Sequence, residues 1–215
     1  MTRGISSSYP EAVRELTLVI ATRNAGKTKE LRTFLKLVPG IRVVSLLDFP
    51  MIDPVPETGS SFAENAVLKA CGYSTKTNMF AIADDSGLEV DALEGRPGIL
   101  SARYGGEGVT DEERIRLLLA ELDRINGNRH ARFRSCVALA DEKGQLLHVT
   151  EGSCEGTIAR DPRGHNGFGY DPIFVPAGYD LTFGELSSAI KDQISHRAKA
   201  FSLMKDFLLA HLNHT

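Results

Sequence analysis

Leu16-Thr17-Leu18-Val19-Ile20-Ala21, followed by Thr22-Arg23-Asn24-Ala25-Gly26-Lys27, is the stretch on which the fold turns. The first six residues read as a buried strand. Leu31, Phe34, Leu35 and Val38 then follow the three-and-four spacing of one helical face, so a helix is predicted to open near Lys27. Such a helix directs unpaired backbone N–H groups and the positive end of its dipole at whatever occupies the loop. Gly26 lets the backbone approach a ligand closely, and Lys27 adds a full charge. The P-loop pattern fails, because the position five residues before Gly26 is Ala21, inside the strand. An ordinary connection with a turning glycine is the competing reading. A helix terminus contributes about 0.3–1 kcal/mol toward one anionic group, so a polyphosphate here needs further cations from elsewhere in the chain.

Working outward, Ile41 to Ser45 reads as a second strand and Pro50 to Pro56 as a proline-rich loop. Ser61 and Glu64 have capping-box spacing, and their helix is expected to run to about Tyr73. Phe80 to Ala83 reads as a short buried strand ending in Asp84-Asp85-Ser86-Gly87. The order β-α-β-α-β predicts a largely parallel core with ligands at the carboxyl ends of its strands. Thr110 with Glu113 caps a helix whose Ile115, Leu118, Leu119 and Leu122 form an apolar face. Ala131 to Ala140, a turn at Asp141 to Gly144, and Gln145 to Val149 predict an antiparallel hairpin, which makes the sheet mixed. A glycine-rich loop over 163–176 leads into Ile173-Phe174-Val175, and a last helix is expected from about Ser195 to Leu212. The fold class is therefore α/β, a mixed twisted sheet flanked by helices.

The chain has 215 residues and no low-complexity tract or linker, which predicts one domain over 16–215 behind a polar extension at 1–15. A net charge of −3 and a pI near 6.1 argue against a general nucleic-acid partner, which leaves a basic stripe. No apolar run approaches the roughly 20 residues of a membrane span, and no signal peptide is evident near Met1. Cys71, Cys136 and Cys154 are odd in number and widely spaced, as expected of buried thiols in a reducing cytoplasm.

Chemistry concentrates in a few places. Asp84 and Asp85 are neighbours on a strand, so their side chains point to opposite faces and only one can face a shared site. A solvated turn is the plain alternative for such a pair. Beside a phosphate loop, a carboxylate suits Mg²⁺, which takes one or two protein carboxylates plus phosphate oxygens and waters, and Glu57 is a candidate second ligand. Asn65 and Lys69 share a helical face with Phe62. Lys191 and Ser195-His196-Arg197 place cations at a helix start, where they oppose the dipole, which hints at a bound anion or a base edge. Gly164-His165-Asn166-Gly167-Phe168-Gly169-Tyr170-Asp171-Pro172 sets aromatics among glycines, either to admit a flat ring or to tuck them into the core.

Ala21 to Lys27, Glu57-Thr58-Gly59, Phe62 to Ala66, Ala83 to Leu88, Pro97-Gly98 with Ser101 to Tyr104, Gly167 to Pro172 and Ser195-His196-Arg197 together carry a family likeness. In this order, across Val19 to Phe201, they resemble the inosine triphosphate pyrophosphatases, house-cleaning enzymes of purine nucleotides. The resemblance implies an elongated single α/β domain, a homodimer, and Mg²⁺-dependent cleavage of ITP, dITP, XTP or dXTP between the α and β phosphates. It implies Asp85 as proton acceptor and metal ligand, with Glu57 as the other ligand. It assigns Thr22, Arg23, Asn24, Ala25, Gly26, Lys27, Lys69 and Ser86 to the phosphate and sugar end. Phe168, Gly169, Tyr170, Asp171, Lys191, His196 and Arg197 form the implied base pocket. Arg23 departs from the glycine often found between Thr22 and Asn24.

The residue types suit that task. A positioned general base contributes roughly 10²- to 10⁴-fold where enzymes commonly need 10⁶ or more, so metal and lysines must supply the remainder. Donors at His196 or Arg197 match a 6-oxo purine and mismatch an adenine amino group. Guanine shares the 6-oxo group, and no residue that reads the purine 2-position is evident. The competing functions are a septum-formation-inhibitor-type pyrophosphatase and a nucleotide-binding module without turnover.

Overall fold

Three parallel strands, β2 (Ile41–Ser45), β1 (Leu16–Ile20) and β3 (Phe80–Val90), form one half of a six-stranded sheet. β4 (His130–Ala140), β5 (Leu146–Ile158) and β6 (Phe174–Pro176) continue it antiparallel, in the order β2-β1-β3-β4-β5-β6. The computed structural model describes residues 15–125 and 127–212, and the expected N-terminal extension lies, except for Glu15, outside the described residues.

β3 differs most from expectation. It runs eleven residues and carries Asp84-Asp85-Ser86-Gly87 in its middle, where a turn was a plausible reading. The reason is its partner: β4 pairs with it continuously from Ala81↔Ala140 to Val90↔Ala131. Turn-forming residues yield when a long neighbour satisfies their backbone groups. β1 pairs with β3 only from Leu18↔Phe80 to Ile20↔Ile82. The chain leaves the sheet after Ala21, whose amide still donates to the Ile82 carbonyl, so the Thr22–Lys27 loop opens beside the two aspartates. That gap beside β3 is the switch point at which open α/β sheets bind ligands.

Helices cover both faces. α2 (Phe62–Thr77), four residues longer than expected, lays Ala66, Ala70 and Tyr73 on Ala81, Ala83, Cys136, Ala138 and Ala140. Small residues on both sides bring helix and sheet close. Its N-terminal Ser61 hydroxyl accepts from the Glu64 amide, while the Glu64 carboxylate reaches Ser60 instead of closing the box on Ser61. On the other face, α1 (Ala25–Leu35) and α5 (His196–Leu212) bury Leu31, Leu35, Phe201, Met204 and Leu208 against Leu18, Ile20, Ile82, Val137 and Leu139. Each fully buried Leu or Phe of this kind contributes about 1.5–3 kcal/mol.

The far half of the sheet packs under α3 (Asp111–Ile125), whose Ile115, Leu118, Leu119 and Leu122 are buried as the periodicity predicts. Thr110 and Glu113 exchange both capping hydrogen bonds. α4 (Ser188–Ile194) was not anticipated. It is a seven-residue helix capped by the Ser187 hydroxyl, too short to show a periodic face. Lys191 therefore belongs to α4, and only Ser195-His196-Arg197 stands at the start of α5. Cys136 and Cys154 are buried, Cys71 is half-buried, and all three are free. Among the described residues no helix is long and apolar enough to cross a membrane.

Candidate active site

Alternation along β3 separates the two aspartates. Asp84 turns toward α1 and α5, where its Oδ2 accepts from Lys27 Nζ at 2.7 Å, Ser86 Oγ at 2.9 Å and Arg197 Nε at 3.3 Å. Ser135 on β4 donates to its other oxygen. Asp84 has no exposed surface. Burial alone raises its proton affinity, but Lys27 and Arg197 outweigh that and hold it far below the usual carboxylate range. At neutral pH it is a charged strut.

Asp85 turns the other way, toward α2. Lys69 Nζ lies 2.6 Å from its Oδ1 and 3.0 Å from Glu57 Oε1, while Asn65 Nδ2 reaches its Oδ2 at 3.4 Å. Asn65 also accepts from the Gly59 amide at 2.8 Å, which fixes the turn carrying Glu57. One ammonium thus serves two carboxylates. For Lys69, burial disfavours the charge, yet two acid neighbours raise its pKa. Asp85 receives half of that cation and lies beside Asp84, so burial wins and its pKa rises. Glu57 is more exposed, and Lys69 pulls its pKa down.

The loop itself is a capped helix start. Asn24 accepts from the Lys27 amide at 3.0 Å, and Thr22 Oγ1 accepts from the Asn24 amide at 3.2 Å. α1 accordingly opens at Ala25, two residues earlier than expected. Gly26 has a packing role. A Cβ there would sit 2.6 Å from the Phe168 ring, so the aromatic rests directly on the first turn of α1.

Phe168 also covers two cations, with Lys191 Nζ 4.9 Å and the Arg197 guanidinium 5.1 Å from its centroid. Lys191 bonds Asp171 Oδ2 at 2.6 Å and Glu30 at 3.0 Å, and Arg197 bonds Glu30 at 2.9 Å. Asp171 accepts from the Phe168 amide as well, and burial raises its pKa against the pull of Lys191. The Tyr170 hydroxyl donates to the Ser101 carbonyl, and the Gly169 amide donates to Asp111. Tyr170 and Asp171 thus shape this loop through internal bonds.

His196 stands apart. It is 1 % exposed, its ring stacks on Phe133 with centroids 4.7 Å apart, and both ring nitrogens lack a partner among the described residues. Burial and then the Arg197 charge hold its pKa well below the ordinary value, so the ring is neutral. A neutral imidazole offers one donor and one acceptor.

These groups border a cleft of about 680 Å³, within the range of small-molecule sites. Thr22, Arg23, Asn24, Lys27, Glu57, Lys69, Asp85, Ser86, Phe168 to Asp171, His196 and Arg197 line it. Of the residues assigned from sequence, Ala25, Gly26 and Lys191 are not among those that line it. Sequence reasoning missed Glu30, one helical turn beyond Lys27 on α1, whose partners Lys191 and Arg197 lie far away in the chain. It also missed Arg103, which lines the cleft 4.0 Å from Glu57, and Arg114 with Asp111 at the start of α3.

Known proteins share this arrangement of elements. The Ham1 family model matches residues 18–207. A dITP/XTP pyrophosphatase of Geobacillus kaustophilus is 50% identical over 190 residues, covering 88% of this chain and 92% of that protein. One of Desulforamulus reducens is 46% identical over 194 residues, covering 90% and 96%. A solved HAM1 protein from Coxiella burnetii superposes with a TM-score of 0.82 at 39% identity, covering 91% of this chain and 99% of that one. With a matched family model across most of its length and relatives this similar over nearly their whole chains, the protein belongs to the Ham1 family.

Proposed function

We propose that this chain hydrolyses aberrant purine nucleoside triphosphates, ITP, dITP, XTP and dXTP, to the monophosphate and pyrophosphate. The observation that carries the reading is the pair Glu57 and Asp85, held on one ammonium inside a cleft that the Thr22–Lys27 loop borders. Relatives bearing the name dITP/XTP pyrophosphatase support the same substrate class.

In this reading Asp85 takes the proton of the attacking water. Lys27 and Lys69 offset charge on the departing pyrophosphate. Glu57 and Asp85 form a donor set suited to Mg²⁺, which accepts one or two protein carboxylates and completes its shell with phosphate oxygens and water. When bound, the ion acts as a Lewis acid toward the phosphoryl oxygens. Phe168 offers a stacking face worth about 1–3 kcal/mol per base. The neutral His196 ring supplies polar contacts to the purine edge, and an adenine amino group in place of the 6-oxo group leaves its N–H unmatched.

A cytoplasmic setting is supported by three unpaired cysteines. The homodimer rests on the family resemblance, and light scattering tests it. For the activity, a panel of nucleoside triphosphates with Mg²⁺ and product analysis is decisive. Pyrophosphate from dITP and XTP, with little from ATP, is expected. Stepwise orthophosphate, or equal turnover of ATP, overturns the proposal.

A further inference from the structure

Phe168 stands between Gly167 and Gly169, whose φ angles of +77° and +60° lie in the left-handed region. Glycine allows that turn but brings no side chain to hold it, so the ring depends on its packing against Gly26 and on the hydrogen bonds around it. On the inner side Asp171 supplies one, accepting from the Phe168 amide at 2.8 Å while Lys191 fixes its carboxylate. The outer side is open, for a Cβ at Gly169 would meet nothing within 4 Å. There the Gly169 amide has one partner among the described residues, Asp111 Oδ2 at 2.8 Å.

Asp111 serves that contact more than its own helix. Its Oδ1 accepts from Arg114, and Arg114 Nη2 donates to the Val109 carbonyl at 2.8 Å, so the carboxylate is held with Oδ2 turned to the loop. The start of α3 has other support: Thr110 and Glu113 cap it, and Glu112 and Glu113 place further acids in its first turn. The neighbouring wall is tied to α3 as well. Glu121 accepts from Arg96 and from the Tyr104 hydroxyl, at the two ends of the 97–103 segment whose Ser101 carbonyl holds Tyr170. A charged acceptor also binds an amide more strongly than a carbonyl does.

We propose that Asp111 is a positioning residue for base recognition, acting through the Gly169 amide to hold the Phe168 ring where a purine stacks. This rests on reading Phe168 as the stacking face of the cleft. Asp111 itself lines the cleft, so direct contact with the nucleotide is the competing role. The ligand-free protein separates the two. A direct contact leaves the empty loop as it is, whereas a positioning role makes the loop looser once the carboxylate is gone.

In ligand-free Asp111→Ala, hydrogen exchange over 164–171 should be at least about threefold faster than in the wild type, with exchange over α2 unchanged. The melting temperature should stay within about 3 °C, because only one of several acids at the start of α3 is lost. Calorimetric affinity for dIMP should fall about 3- to 30-fold, and in dITP turnover the loss should appear in KM with kcat nearly unchanged. Glu112→Ala removes an exposed acid from the same helical turn and should leave both exchange and affinity as they are. Unchanged exchange over 164–171 in Asp111→Ala, wild-type dIMP affinity in that variant, an equal effect of Glu112→Ala, or no dIMP binding by the wild type would each overturn the proposal. Binding of dIMP that depends on Asp111, in a protein that does not cleave dITP, would overturn the assigned reaction and leave this inference standing.

Discussion

Replacing Asp84 by asparagine keeps the shape of a fully buried side chain and removes its charge. The carboxylate accepts from Lys27, Arg197, Ser86 and Ser135 at once. In Asp84→Asn, Arg197 retains Glu30 at 2.9 Å, but Lys27 loses its carboxylate partner in a nearly buried position. Breaking one side of a buried ion pair costs about 3–5 kcal/mol, and the cleft beside Lys27 admits some water, so the lower end, about 3 kcal/mol, is expected. For a chain of this size that corresponds to a melting temperature lower by roughly 6–12 °C. The pH dependence adds a second criterion. Asp84 has a depressed folded-state pKa, so its stabilisation is complete above the unfolded value near 3.9 and is lost as pH falls further toward the folded one. The gap between wild type and variant should therefore be constant from pH 7 to about 5 and narrow below about 4. Melting curves by circular dichroism across that range measure both. A variant that melts with the wild type at pH 7, or a gap that widens in acid, would refute the strut role.

Gly152→Ala should also destabilise, by about 1–3 kcal/mol, because a Cβ there collides with the His196 carbonyl and the Ala200 amide where α5 lies on β5; chemical denaturation measures it, and a neutral result would contradict the close packing.

Much of this architecture was legible in the residues. The spacing of Leu31 and Leu35 and the exact limits of Ile41–Ser45 reflect local periodicity, and the Thr110–Glu113 box is a local hydrogen-bond pattern. Alternation also separated Asp84 from Asp85 before any partner was known. What escaped depended on distant pairing. β3 passes through Asp-Asp-Ser-Gly because β4 accompanies it, and β5 continues to Ile158 because β4 and then β6 accompany it. Glu30 was missed because an acid on a helix reads as surface until Lys191 and Arg197, more than 150 residues away, are brought to it. Likewise, Tyr170 lines the cleft as its motif suggests, while its bond to the Ser101 carbonyl appears only in the fold.

In the proposed reaction Asp85 moves the proton while its neighbours hold the nucleotide. Asp85→Asn is nearly isosteric and faces Lys69 and Asn65 without the Asp84 network. With dITP and Mg²⁺, pyrophosphate release should fall by about 10²- to 10⁴-fold while calorimetric affinity for dITP stays within about tenfold of wild type. Undiminished pyrophosphate release from a correctly folded Asp85→Asn protein would contradict it.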